Sequence, residues 1–162
     1  MNRENLHGYQ KAAIKHIFNH THCGLFLEMG LGKTVSTLTA ISDLLDAVEI
    51  SRVLVVAPKR VADSVWDAEI KQWEHLRHLT ISKIVGTEKK RFKALQTPAD
   101  IYTIGRDNIN WLCGVYEGKR IPFDMLVIDE LSSFKNPRSL RFKRLRVLQP
   151  FQSLKALQTG SI

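Results

Sequence analysis

The chain has 162 residues and a mass of 18.5 kDa, which is enough for one domain with a sizeable core. No apolar run approaches the roughly 18 residues of a membrane span, and the N-terminus lacks the apolar core of a signal peptide, so we expect no membrane partner. Cys23 and Cys113 are isolated in the sequence, so we expect a cytoplasmic protein. The net charge is +8, and residues 131–162 carry seven Lys or Arg and no Asp or Glu. This excess favours a polyanion such as nucleic acid, although a solvated basic helix face explains it equally well.

Helix-like and strand-like segments alternate along the chain. The predicted helices cover 7–18, 35–48, 61–73, 87–96 and 138–148, with a short irregular helix through Trp111. The predicted strands cover 24–27, 51–57, 80–85, 101–104, 123–128 and 153–158. This alternation indicates an α/β domain in which helices cover both faces of a mostly parallel sheet.

The segment E-M-G-L-G-K-T at 28–34 lies between the first predicted strand and the next helix, where a phosphate-binding loop is expected. Glycines let backbone N–H groups surround phosphate oxygens, the lysine reaches the β- and γ-phosphates, and the threonine hydroxyl can ligate Mg²⁺. The match to G-x-x-x-x-G-K-[ST] is incomplete because Leu27 replaces the first glycine. The setting still predicts a nucleotide site formed by Met29, Gly30, Leu31, Gly32, Lys33 and Thr34.

Asp129 and Glu130 directly follow the apolar strand predicted at 123–128. Ligands of open parallel sheets bind at the carboxyl ends of strands, so we expect this pair beside the phosphate loop. Asp129 would hold Mg²⁺ together with Thr34, and Glu130 would orient and deprotonate an attacking water. Lys33, Asp129 and Glu130 are therefore the predicted catalytic residues, and an ordinary acidic turn is the alternative.

Five motifs in this order resemble the first RecA-like lobe of superfamily-two helicases: L-H-G-Y-Q at 6–10, E-M-G-L-G-K-T at 28–34, V-L-V-V-A-P at 53–58, L-V-I-D-E at 126–130 and L-Q-T-G-S at 157–161. Trp66-x-x-Glu69 and F-K-N-P at 134–137 are most similar to Swi/Snf-type ATPases, including the shorter versions of phages and prophages. The resemblance implies a single three-layer P-loop NTPase (RecA-like) lobe over 1–162, with ATP and Mg²⁺ as cofactors.

The resemblance also implies roles for individual residues. Gln10 would read the adenine edge, with Tyr9 packing nearby. The residues implied to contact the nucleic-acid backbone are Pro58, Lys59, Thr103 and Arg106. The residues implied to couple the nucleotide to the nucleic acid are Ser132, Thr159, Gly160 and Ser161. Ser132 departs from the family, whose acidic motif often reads D-E-x-H, and Ser161 replaces a threonine.

A second RecA-like lobe, which closes over ATP and supplies arginines, is a further partner that the resemblance implies. Nothing in 1–162 corresponds to that lobe, so we expect the chain alone to bind nucleotide weakly and to hydrolyse it negligibly. The leading hypothesis is the ATP-binding lobe of a DNA helicase or translocase, with double-stranded DNA favoured and RNA possible. The alternatives are a helicase-like subunit of a restriction system, an RNA helicase, a small P-loop kinase or other ATPase, and a nucleic-acid-binding module with a relic nucleotide site.

Two further patterns have competing interpretations. The run H-x-x-x-H-x-H-C formed by His16, His20, His22 and Cys23 has ligands for zinc, but a polar helix end is the simpler interpretation. Trp66 and Trp73 lie seven positions apart on one helical face, where core packing is favoured over stacking with nucleic-acid bases.

Overall fold

The computed structural model describes residues 1–130 and 155–160 as one six-stranded sheet with helices on both faces. The strands are β1 (His22–Phe26), β2 (Val53–Ala57), β3 (Ile81–Ile84), β4 (Ile101–Gly105), β5 (Met125–Ile128) and β6 (Lys155–Gly160). Their order across the sheet is β1-β6-β5-β2-β4-β3, and every neighbouring pair is parallel. The predicted α/β fold with a mostly parallel sheet is confirmed.

The helices of the described residues are α1 (Gly8–Asn19), α2 (Lys33–Asp46), α3 (Trp66–Gln72), α4 (Glu88–Gln96) and α5 (Ile109–Val115). They agree with the predicted helices except before α3, where Val61–Val65 forms a π-helical turn. The basic helix predicted at 138–148 lies outside the described residues. None of the helices named here is long and apolar enough to cross a bilayer.

Two hydrophobic cores lie on opposite faces of the sheet, because successive strand residues point in opposite directions. On one face, Val53 and Val55 of β2 belong to the core that α1, α2 and α3 cover. On the other face, Leu54 and Val56 belong to the core that α5 covers. All five residues of β2 are buried, as the continuous apolar run predicts for a strand covered on both faces.

β1 differs from its prediction as a short buried strand. Leu25 is its one buried residue, and the Phe26 side chain is 48% exposed. The difference arises from the strand order, because β1 is the edge strand and its residues on the face of Phe26 point away from the α1–α2 core. The Phe26 ring lies over its own strand, since a Cβ on Gly24 would be 2.7 Å from it.

Candidate functional site

The phosphate loop and the acidic pair lie at the same edge of the sheet, the edge formed by the carboxyl ends of the parallel strands. The loop follows β1 and Asp129 follows β5, with β6 between these two strands. Phe26 pairs with Gly160 and Ile128 with Gln158, so all three strands end at nearly the same level. At about 4.8 Å between neighbouring strands, the axes of β1 and β5 are roughly 10 Å apart, a separation that a metal-bound phosphate chain can span.

The loop after β1 turns into α2 through two glycines in the left-handed region. Gly30 has φ +82° and Gly32 has φ +73°, and glycine adopts these angles without a steric penalty. Gly32 is the N-cap of α2, and its carbonyl accepts a hydrogen bond from Ser36 N at 3.1 Å. The first-turn N–H groups of an α-helix have no partner within the helix, so the start of α2 favours an anion.

The Lys33 side chain curls back over this loop. Its Nζ donates to the carbonyl oxygens of Leu27, at 2.9 Å, and Glu28, at 3.4 Å. The positive charge is therefore held inside the curve of the loop, beside the half-buried Thr34. An ammonium, a hydroxyl and helix-start amides suit phosphate oxygens, and the Asp129 carboxylate suits Mg²⁺, so the residues present fit Mg-ATP.

Gln10 connects the start of α1 to the phosphate loop and is only 5% exposed. Its Oε1 accepts from His7 N at 2.8 Å, and its Nε2 donates to Leu31 O at 3.3 Å. A carboxamide has two donor hydrogens and two acceptor lone pairs, so one of each remains for an adenine edge. The adenine role of Gln10 stays a prediction, and the observed contacts add a second role in holding the loop.

A Cβ on Gly32 would lie 2.2 Å from Gln10 Nε2, whereas a Cβ on Gly30 would meet nothing within 4 Å. Both positions have positive φ, so alanine at either costs about 1–2 kcal/mol of backbone strain. We expect Gly32→Ala to weaken ATP binding at least tenfold more than Gly30→Ala, because it also displaces Gln10. ATP titration of the two variants measures this, and equal losses would show that the Gln10 contact is unimportant.

Asp129 is 8% exposed and lies in a set of directed hydrogen bonds. Its Oδ1 accepts from Thr159 Oγ1 at 2.5 Å and from Glu130 N at 3.1 Å, and its Oδ2 accepts from Trp66 Nε1 at 3.4 Å. Its own N–H donates to Val56 O at 2.8 Å, which extends the pairing of β5 with β2. The buried carboxylate is thus fixed by a residue of β6, a residue of α3 and the backbone N–H of the next residue in the chain.

Thr159 and Gly160 belong to β6, which begins and ends two residues later than predicted. The resemblance implies a coupling role for Thr159, and among the described residues its hydroxyl contacts Asp129. Ser132 and Ser161 lie outside the described residues. The contact between Trp66 and Asp129 had no signal in the sequence beyond the burial of the tryptophan, which is 1% exposed and packs in the core as predicted.

Glu130 has a φ of +57°, a left-handed angle that costs a non-glycine residue energy. Such strain is found mainly where the surrounding structure and function require it. The turn at Glu130 leaves the line of β5 directly after Asp129, so the two carboxylates do not continue the alternation of the strand. This geometry suits two carboxylates with different tasks.

Three of the four predicted nucleic-acid residues lie together at the carboxyl edge of the sheet. Pro58 and Lys59 follow β2, and Arg106 follows the neighbouring strand β4. The two segments approach closely, because a Cβ on Gly105 would lie 3.3 Å from Lys59 Cα. Lys59 is exposed, which leaves its ammonium accessible to a phosphate.

Thr103, the fourth of these residues, cannot make the predicted contact in this conformation. Its side chain is fully buried within β4, and its Oγ1 donates to Ala62 O at 2.7 Å. The hydroxyl thus satisfies a carbonyl of the π-helical turn.

The zinc hypothesis lacks support in the structure, because the described residues contain no group of three or more metal-binding side chains.

Comparison with protein families and curated proteins identifies relatives. The sequence pattern of the SNF2-related domain matches residues 9–155. Putative protein p41 of Acyrthosiphon pisum secondary endosymbiont phage 1 is 38% identical over 132 residues, which cover 80% of this chain and 28% of that protein. Chromatin remodeling factor mit1 of Schizosaccharomyces pombe is 29% identical over 155 residues, which cover 89% of this chain and 10% of that protein.

Solved structures share the fold. The Sulfolobus solfataricus SWI2/SNF2 ATPase core in complex with dsDNA aligns with a TM-score of 0.78 and 25% identity over 97% of this chain. The ATPase core domain of the same organism, with a TM-score of 0.68 and 21% identity, shows the fold alone. The chain spans less than a third of the length of these relatives, with 32% the largest share. Because the family pattern extends over most of the sequence, the chain belongs to the SNF2-related domain family and matches part of the SWI2/SNF2 ATPase core.

Proposed function

We propose that this chain is the ATP-binding lobe of a DNA translocase, which binds Mg-ATP and couples its hydrolysis to movement on double-stranded DNA when joined to a second RecA-like lobe. The observation that carries the proposal is the shared edge of the sheet. Lys33 after β1 and Asp129 after β5 lie on either side of β6, as the two halves of one nucleotide site require. Membership of an ATPase family supports the same conclusion.

The residues at this edge divide the work on ATP. The backbone of Gly30 and Gly32 and the ammonium of Lys33 hold the β- and γ-phosphates, and the Thr34 hydroxyl and the Asp129 carboxylate are the ligands for Mg²⁺. When bound, Mg²⁺ neutralises charge on the phosphate oxygens. Glu130 orients the attacking water and accepts its proton.

The nucleic-acid side of the proposal rests on Pro58, Lys59 and Arg106. These residues follow β2, which lies next to β5, and β4, which lies next to β2, so DNA bound there is close to the acidic pair. The net charge of +8 favours phosphate contacts, and the Sulfolobus solfataricus core with this fold was solved in complex with dsDNA. Contacts to phosphates position a protein without reading sequence, as movement along DNA requires.

We expect Lys59→Ala to weaken binding of the chain to double-stranded DNA equally for unrelated sequences. The slope of log K against log salt is negative, and removal of one lysine–phosphate ion pair should make it less steep by about 0.9. Fluorescence anisotropy with two DNA duplexes at several salt concentrations measures both quantities. Lys119→Ala is the matched control, because Lys119 is an exposed lysine in the connection between α5 and β5, at the opposite edge of the sheet.

The control separates a local effect from a change in overall charge. If Lys59→Ala and Lys119→Ala lower the affinity and the salt slope equally, the edge at Lys59 is not the DNA site. Tighter binding to single-stranded RNA than to duplex DNA would instead favour the RNA helicase alternative.

A further inference from the structure

Trp66 lies between the residues predicted to contact nucleic acid and the proposed nucleotide site. Residues 59–72 form one continuous helical segment, which begins at Lys59, passes through the π-helical turn Val61–Val65 and continues as α3 from Trp66. The Thr103 hydroxyl anchors this turn from β4 through Ala62 O. The turn thus sets the direction in which the first residue of α3 points, which is towards Asp129.

The hydrogen bonds of Asp129 decide which of its oxygens is available to a cation. A carboxylate oxygen has two lone-pair positions. Oδ1 accepts from Thr159 Oγ1 and from Glu130 N, so both of its positions are used. Within the part of the chain that the structure describes, Oδ2 accepts only from Trp66 Nε1, at 3.4 Å, and keeps one position. A metal ion ligated by Asp129 therefore meets Oδ2, the oxygen that the indole holds.

From this geometry we propose that Trp66 is a positioning residue for Asp129: its indole N–H fixes Oδ2 so that the remaining lone pair is directed at the Mg²⁺ of bound nucleotide. The inference rests on the proposed function, since it assumes that Asp129 is the metal ligand. Groups that orient a ligand in this way commonly change metal affinity about 10- to 100-fold when they are removed.

Packing alone does not account for this hydrogen bond. The indole N–H is a donor without acceptor capacity, and a buried one needs a partner. Trp73, the residue that follows α3, shows the alternative, because its Nε1 donates to Glu69 Oε1 at 3.1 Å, four residues before it. Trp66 instead donates to a residue 63 positions away in the chain. Trp73 is thus a matched internal control, with a buried ring and a bonded N–H remote from Asp129.

The first experiment uses the unaltered chain. The ¹H–¹⁵N spectrum of the 162-residue protein contains three indole N–H resonances, since there are three tryptophans, and single Trp→Phe variants assign them. We expect ATP with Mg²⁺, compared with ATP and a chelator, to shift the Trp66 indole resonance and to leave that of Trp73 unchanged. If Mg²⁺ does not change the chemical shift of the Trp66 indole resonance, the proposal is wrong.

The second experiment measures ATP affinity as a function of Mg²⁺ concentration. We expect Trp66→Phe, which keeps a buried aromatic ring and removes the N–H, to raise the Mg²⁺ concentration for half-maximal binding about tenfold. Affinity for ATP without Mg²⁺ should stay within twofold of the parent. Trp73→Phe should leave both quantities within twofold, although both variants remove a buried hydrogen bond and reduce thermal stability.

The outcomes distinguish this inference from the proposed function. If the two variants show the same dependence on Mg²⁺, Trp66 has a structural role and the inference fails while the function stands. If ATP binds but Mg²⁺ has no effect on the parent chain, Asp129 is not a metal ligand and the inference fails. If the chain binds no ATP in the presence of Mg²⁺, the proposed function fails and the inference fails with it.

Discussion

Lys33→Ala is expected to weaken the binding of Mg-ATP to this chain about 100-fold. In the proposed site the ammonium donates charge-assisted hydrogen bonds to phosphate oxygens, and two such bonds contribute about 3 kcal/mol together, which corresponds to about two orders of magnitude in affinity. The substitution also removes the hydrogen bonds of Nζ to Leu27 O and Glu28 O, which hold the loop in its curved form. Titration of the purified chain with ATP and Mg²⁺, followed by calorimetry, measures the change.

Lys15→Ala is the control for this experiment. Lys15 is an exposed lysine of α1, and its replacement changes the net charge by the same amount. Alanine is a good helix former, so the substitution should leave α1 intact. We expect its ATP affinity to equal that of the parent chain. If Lys33→Ala binds ATP as tightly as the parent, the loop is a relic and the chain is a nucleic-acid-binding module, one of the alternatives left open by the sequence.

Local patterns predicted much of the fold and the backbone turn after β1. The continuous apolar run V-L-V-V-A predicts a strand that is buried on both faces, and β2 has that environment. Gly30 and Gly32 were predicted to shape the loop, and both take positive φ values that disfavour other residues. These features depend on residues close in sequence, so no knowledge of the sheet order is needed to infer them.

The errors arise where the environment is set by distant residues. Burial of β1 depends on its position at the edge of the sheet, and that position follows from the pairing with β6 more than 130 residues later. Thr103 falls at a family position for nucleic-acid contact, but its hydroxyl satisfies a carbonyl of the turn before α3. The indole bond of Trp66 to Asp129 also joins segments that only the fold brings together.

The isolated 162-residue chain is expected to hydrolyse ATP at least 10³-fold more slowly than a protein in which this lobe is followed by a second RecA-like lobe. In the proposed site Lys33, Thr34 and Asp129 hold the substrate and Glu130 activates water, but charge that develops on the transferred phosphoryl group needs further stabilisation. Arginines that approach the phosphates from a partner increase the rate by about 10³ to 10⁵ in other nucleotide hydrolases. The sequence resemblance assigns that contribution to the second lobe.

Release of phosphate, measured with and without double-stranded DNA, tests this division of labour. The chain alone should show no stimulation by DNA, whereas the two-lobed protein should be stimulated. Glu130→Gln in the two-lobed protein should lower turnover at least 10²-fold and leave ATP affinity nearly unchanged, because the amide keeps the size of the side chain but cannot accept a proton. Rapid DNA-stimulated turnover by the isolated chain would show that one lobe completes the site, and the role proposed for a second lobe would then be wrong.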